Sequence, residues 1–120
     1  MSLLIDRTEL TPSISCVMPA FNEAGTLARL VPQVLERLLR LSSRVELVIV
    51  NDGSRDASAQ VIDSLCRQHP EVVGLDLSRN FGKESALTAG LDATRGDVVV
   101  LMDADGQHPV ELVERMLGLW

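Results

Sequence analysis

The sequence predicts an α/β domain built on a doubly wound, mostly parallel sheet of four β-α units. Three observations carry that prediction. Short runs rich in Val, Ile and Leu alternate with stretches whose apolar residues recur at helical spacing, in the order β-α-β-α-β-α-β-α. The strand runs are close to continuously apolar, as strands covered on both faces are. Two Phe, one Trp and no Tyr among 120 residues leave an aliphatic core, which suits a parallel sheet clothed in helices. The short connections imply right-handed crossovers.

Each element has its own signal. Residues 1–12 are unpatterned and close on Thr11-Pro12, so a loose N-terminus precedes a domain spanning 13–120. Ile14-Ser15-Cys16-Val17-Met18 reads as the first strand, stopped by Pro19, and Asn22 is placed to cap the first helix. Leu27, Leu30, Val31, Val34, Leu35, Leu38 and Leu39 predict that helix to about Leu41, with Pro32 kinking it or marking a late start. Residues 45–50 form the second strand. Asp56 is a plausible N-cap for a helix that turns Val61, Ile62, Leu65 and Cys66 inward and ends near His69-Pro70. Residues 72–77 are the third strand, and a helix runs from about Glu84 to Thr94. The fourth strand brings the chain to Asp103. Pro109 opens a last helix with Leu112, Val113, Met116 and Leu117 on one side. That helix has no strand to lead into, so the domain reads as truncated.

Composition bounds the function. At 46% apolar the chain is ordinary for a globular protein and is not disordered. A formal net charge of −6 without basic clusters argues against a nucleic-acid partner, and means that a phosphorylated ligand would need a cation. Cys16 and Cys66 sit in a strand pattern and a helix pattern, where buried free thiols of a reducing compartment are expected. No apolar run approaches the ~18 residues of a membrane span and no signal-peptide pattern opens the chain, so this stretch reads as cytoplasmic.

In a doubly wound sheet the loops after the strands gather at one edge, where ligands bind. Here they are residues 19–23, 51–54, 78–83 and 103–108, each polar or charged directly after an apolar strand. In the last, Asp103 and Asp105 are spaced i, i+2, so in an extended chain they face one way. With Gln107 they offer hard oxygens suited to Mg²⁺ or Mn²⁺, which would hold substrate phosphates. The bland alternative is turn and cap chemistry. A calcium loop is rejected, because His108 stands where that loop needs glycine and a strand precedes it. Asn51-Asp52-Gly53-Ser54 suits a tight turn, yet Asp52 can also accept hydrogen bonds from a base or ribose. Glu23 by default favours a helix N-terminus. Gly82-Lys83 lies just ahead of a helix, where backbone N–H groups and an ammonium suit a phosphate, or Lys83 is simply solvated; Arg79 is similar. His108 and His69 are more simply read as helix-end residues. No Ser/His/Asp or Cys/His arrangement, CxxC, HExxH or GxGxxG is present.

Pro19-Ala20-Phe21-Asn22-Glu23, Val50-Asn51-Asp52-Gly53-Ser54 and Asp103-Ala104-Asp105-Gly106-Gln107-His108-Pro109 together resemble the family 2 glycosyltransferases of the GT-A, Rossmann-like fold. Ser78-Arg79-Asn80-Phe81-Gly82-Lys83-Glu84 narrows the resemblance to the polyprenyl-phosphate branch, which includes dolichol-phosphate mannosyltransferase. The resemblance implies that Glu23 and Asp52 contact the nucleotide of a UDP- or GDP-sugar, with Pro19 and Ala20 shaping the pocket. It implies that Asp103, Asp105 and Gln107 hold the metal against the diphosphate, and that Arg79 and Lys83 balance phosphate charge. The acceptor would be a polyprenyl phosphate at the cytoplasmic face of a membrane, whose attack on the sugar inverts it, in cell-envelope synthesis. The chain matches the donor-binding half of such a domain. The acceptor side and general base are expected beyond Trp120, the chain alone is expected to be inactive, and an exposed sheet edge suggests a homo-oligomer. The rival reading is a non-catalytic nucleotide-binding or oligomerising module.

Overall fold

The computed structural model describes residues 12–104. Its elements are β1 (Ile14–Ala20), α1 (Ala24–Leu41), β2 (Val45–Asn51), α2 (Ser58–Gln68), β3 (Val72–Asp76), α3 (Lys83–Asp92) and β4 (Val98–Leu101). The four strands are all parallel, in the order β3-β2-β1-β4. Ile14 stands opposite Val45 on one side and Val98 on the other, and Leu47 stands opposite Val72. The α/β class, the alternation and the parallel sheet are as the sequence predicts. The helix expected from Pro109 lies outside the described residues.

Both faces of the sheet are covered, which explains the continuous apolar runs. On one face Ile14, Cys16 and Met18 of β1, with Leu47 and Ile49 of β2, pack under Leu27, Val31, Val34 and Leu38 of α1 and Ile62 and Leu65 of α2. On the other, Val17, Val48 and Val50 pack under Ala86 of α3, with Leu87 and Ala89 against them. Successive side chains of β1 therefore enter two separate cores, and a polar side chain there needs a partner. Ser15 is the exception that has one; its buried hydroxyl accepts the Gly96 N–H at 2.8 Å. Both cysteines are free thiols, and burial pushes that of Cys16 up to about 12. Cys66 is only partly buried. Among the described residues no helix is long and apolar enough to cross a membrane.

Several boundaries differ from expectation for physical reasons. Pro19 does not stop β1, which continues through it to Ala20. Alternate residues of a parallel strand bond to opposite neighbours. Ile14 N–H bonds towards β2 and the Val17 carbonyl towards β4, so the N–H that Pro19 lacks falls on the β4 side. There β4 has already ended at Leu101, the partner of Val17, and no ladder bond is lost. Pro32 does not mark a late start either, since α1 begins at Ala24. The carbonyl it leaves without an N–H belongs to Ala28, on the exposed side, while Leu27, Leu30, Val31, Val34, Leu35 and Leu38 hold both halves down. The third strand stops at Asp76 and α3 at Asp92, where the Ala93 and Thr94 N–H groups close the helix on Gly90 and Leu91.

Candidate functional site

From β1 the chain winds by α1 and α2 outward to β3 on one face, then returns by α3 on the other to β4, which lies against the far side of β1. The direction of winding reverses between β1 and β4, and a crevice opens beyond their carboxyl ends. A cavity of about 460 Å³ lies there. The end of β1 gives it Pro19, Ala20, Phe21 and Glu23, and β2 gives Asp52. The β3–α3 loop adds Asn80, Gly82 and Lys83, and the chain after β4 adds Asp103 and Ala104.

The wall formed after β1 and β2 is a reciprocal latch between two helix starts. Asn22 holds a left-handed φ of 54°. It caps not α1, as expected, but the neighbouring loop: its Oδ1 accepts the N–H groups of Arg55 at 2.8 Å and Asp56 at 3.3 Å. In return Ser54 Oγ accepts the Asn22 N–H at 3.0 Å and Ser58 Oγ accepts the Glu23 N–H at 3.0 Å. Asp56 is not the N-cap of α2, which is Ala57, yet its carboxylate serves both helices. It accepts the Ser58 N–H at 2.9 Å and the Ala24 N–H at 3.3 Å, satisfying donors that helix starts leave open. Glu23 is thereby fixed at the cavity rim by bonds to its backbone.

The Ser58 hydroxyl first, then the Ser58 and Ala24 N–H groups, hold the Asp56 carboxyl below its usual range. A depressed folded-state value contributes stability that is full above the unfolded value and is lost as pH falls through the folded one. Asp56→Ala is therefore expected to lower Tm at about pH 7 and to lose that deficit progressively as pH falls below the ordinary carboxylate range. Thermal melts across that range check it; a difference that persists in acid would show that the carboxylate is not responsible.

Opposite the latch, Asp52 is 4% exposed and takes the Phe81 N–H on Oδ1 at 2.9 Å and the Gly82 N–H on Oδ2 at 3.1 Å. Lys83 and Asp103 form an ion pair across the crevice, both partly exposed. The structure thus brings together Pro19, Ala20, Glu23, Asp52, Lys83 and Asp103 of the residues nominated from sequence. Arg79 is not among them. It lines a neighbouring cavity with Asn22, Ser54 and Asp76, and its guanidinium lies 4.8 Å from the Phe81 ring centroid, a cation–π contact. Asp105, Gln107 and His108 lie outside the described residues, and His69 closes α2 as expected. Among the described residues no group of three or more His, Cys, Asp or Glu is placed to hold a metal. Sequence reasoning missed Phe21, Asn80 and Ala104 as lining residues. Each lies within a loop it singled out, but an uncharged side chain gives no chemical signal. Gly82, read with Lys83 as suited to a phosphate, lines the cavity too, but its N–H is given to the Asp52 carboxylate.

Among solved structures with this architecture is glucosyl-3-phosphoglycerate synthase from Mycobacterium tuberculosis, in complex with Mn²⁺, uridine-diphosphate and phosphoglyceric acid. It matches with a TM-score of 0.70 at 25% identity, over 92% of this chain and 41% of that one. The fold is the GT-A fold of glycosyltransferases. Residues 15–120 match glycosyl transferase family 2, and the chain belongs to that family. Bactoprenol glucosyl transferase of Shigella phage SfX is 44% identical over 107 residues, covering 89% of this chain and 35% of that protein. Undecaprenyl-phosphate 4-deoxy-4-formamido-L-arabinose transferase of Shewanella sediminis is 36% identical over 106 residues, covering 88% of this chain and 32% of that protein. The chain spans about a third of the length of these curated relatives.

Proposed function

We propose that residues 13–120 are the nucleotide-sugar-binding part of a transferase that passes a sugar from a UDP- or GDP-sugar to a polyprenyl phosphate. The observation that carries this reading is the convergence of Pro19, Ala20, Glu23, Asp52, Lys83 and Asp103 on one cavity at the switch point of the sheet. The relatives named for bactoprenol and undecaprenyl phosphate support the acceptor class, and with it a membrane-surface site of action in cell-envelope synthesis.

Pro19, Ala20, Glu23 and Asp52 face the nucleoside, while Lys83 and Asp103 face the diphosphate. Asp103 fits a metal site in its chemistry, being a carboxylate presented at the crevice mouth and already matched to a cation, the Lys83 ammonium. With Asp105 and Gln107 it would hold Mg²⁺ or Mn²⁺, which supplies neutralisation of the charge that gathers on the departing nucleoside diphosphate. An acceptor phosphate oxygen attacks the anomeric carbon from the face opposite the diphosphate, the carbon–oxygen bond to the diphosphate breaks with its electron pair, and configuration inverts. Lys83 lies beside that developing charge.

Calorimetric titration with UDP and with GDP, each with and without Mn²⁺, tests the reading. Metal-dependent binding of one nucleotide is expected and names the base of the donor. Failure of both to bind, to this chain and to one extended to the length of the relatives, would overturn it.

A further inference from the structure

The β3–α3 loop is fastened to the end of β2 by more than its two backbone bonds to Asp52. The Asn80 side-chain amide donates to the Asp52 carbonyl at 3.2 Å and to its Oδ2 at 3.4 Å, so one residue grips both the backbone and the carboxylate of the platform. Beside it the two loops touch backbone to backbone at Gly53, where an added Cβ would lie 2.3 Å from the Arg79 carbonyl carbon and the Asn80 nitrogen. The restraint passes into α3. Gly82, at a φ of 102° that favours glycine, gives its N–H to Asp52, and its carbonyl accepts the Ala86 N–H at 3.1 Å in the first turn of the helix. Lys83 is the next residue and reaches Asp103.

We infer that Asn80 is a positioning residue: acting through Asp52, it fixes residues 80–83 and so sets Lys83 against the anionic end of the nucleotide. The inference rests on the donor-site reading of the cavity. The cavity wall carries the carboxylates of Glu23, Asp52 and Asp103, and Lys83 sets a positive charge among them. A loop that lets Lys83 wander therefore weakens the hold on a diphosphate and leaves that on an uncharged base and ribose as it was. Asn80 itself carries no charge for a phosphate, and its side-chain amide is committed to Asp52.

The test is a cycle of Asn80→Ala, Lys83→Met and the double variant, titrated with UDP and GDP in Mn²⁺ and with uridine and guanosine. Asn80→Ala is expected to weaken the nucleoside diphosphate about tenfold and the nucleoside by less than about twofold, because Asp52 itself stays held at the end of β2, its N–H bonded to the Ala20 carbonyl at 2.8 Å. In the Lys83→Met background it is expected to add less than about twofold, because its effect runs through Lys83. Hydrogen exchange at the Phe81 and Gly82 amides is expected to quicken in Asn80→Ala. Asn80→Leu, of similar shape and uncharged, keeps the inference open to test should the alanine variant fold poorly; it removes both donated bonds without adding charge to the cavity wall and is expected to give the same selective loss. Equal loss on nucleoside and diphosphate, effects that multiply in the double variant, or unchanged exchange would each overturn the inference. If neither nucleotide binds the unmutated protein, as this chain and as one extended to the length of the relatives, the donor-site reading fails and takes the inference with it, even where exchange responds.

Discussion

Replacing Asp103 by alanine is expected to weaken UDP or GDP in the presence of Mn²⁺ by about a hundredfold or more. A metal held against a diphosphate supplies several kcal/mol of charge stabilisation, and roughly 2.7 kcal/mol already corresponds to that factor. The fold is expected to be indifferent. Asp103 and Lys83 are both partly exposed, so their ion pair is screened by water and contributes no more than about 1 kcal/mol. Asp103→Ala should therefore melt close to the unmutated protein while losing the ligand, a separation that a structural role would not give. Chelation is the companion experiment. EDTA is expected to bring the unmutated protein down to the affinity of the variant and to change the variant little. An Asp103→Ala protein that binds nucleotide with unchanged affinity and an intact metal response would remove Asp103 from the site.

Asp103 also shows how far the sequence alone could be read. Its position after an apolar strand places it at the carboxyl edge of the sheet, and the loops after β1, β2 and β3 could be assigned to the same edge, because each comes after an apolar run and precedes a helical period. That pattern depends only on which residues must be buried, so the topology and much of the lining of the crevice were legible. What escaped was decided by groups far apart in the chain. Asn22 looked like a cap for α1 because caps are usually local; its carboxamide instead serves the backbone of Arg55 and Asp56, which only the side-by-side placement of α1 and α2 brings within reach. Asp52 was read as a ligand contact, whereas its carboxylate also anchors the loop of Phe81 and Gly82. Arg79 stands in the same sequence motif as Lys83 yet turns to the ring of Phe81 in a neighbouring cavity. Pro19 reads as a stop and Pro32 as a kink or a late start; the strand runs through the first and the helix starts well before the second, because the bond each deletes falls where no partner waits, or where water can take its place.

Gly53→Ala is expected to be the most destabilising small change near the site. Gly53 holds a φ of 68°, a conformation that costs a residue with a Cβ about 1 kcal/mol. The larger cost is steric. The new methyl would lie 2.3 Å from both the Arg79 carbonyl carbon and the Asn80 nitrogen, and these are backbone atoms that no rotamer change can move aside. The β3–α3 loop must lift, and with it go the bonds that Phe81, Gly82 and Asn80 make to Asp52. Together these are expected to cost about 3 kcal/mol, or roughly 10–20 °C in Tm for a domain of this size. Gly25→Ala is the control. It lies in the first turn of α1 with nothing within 4 Å of the added Cβ, and alanine there is expected to leave stability unchanged or raise it by up to about 1 kcal/mol. Thermal melts of the two variants decide the matter. Equal Tm values would mean that the two loops do not meet at Gly53, and the platform that Asp52 offers to the Lys83 loop would lose its second support. A large drop confined to Gly53→Ala, with nucleotide affinity falling alongside it below the melt, would tie the closeness of those two backbones to the hold on the ligand.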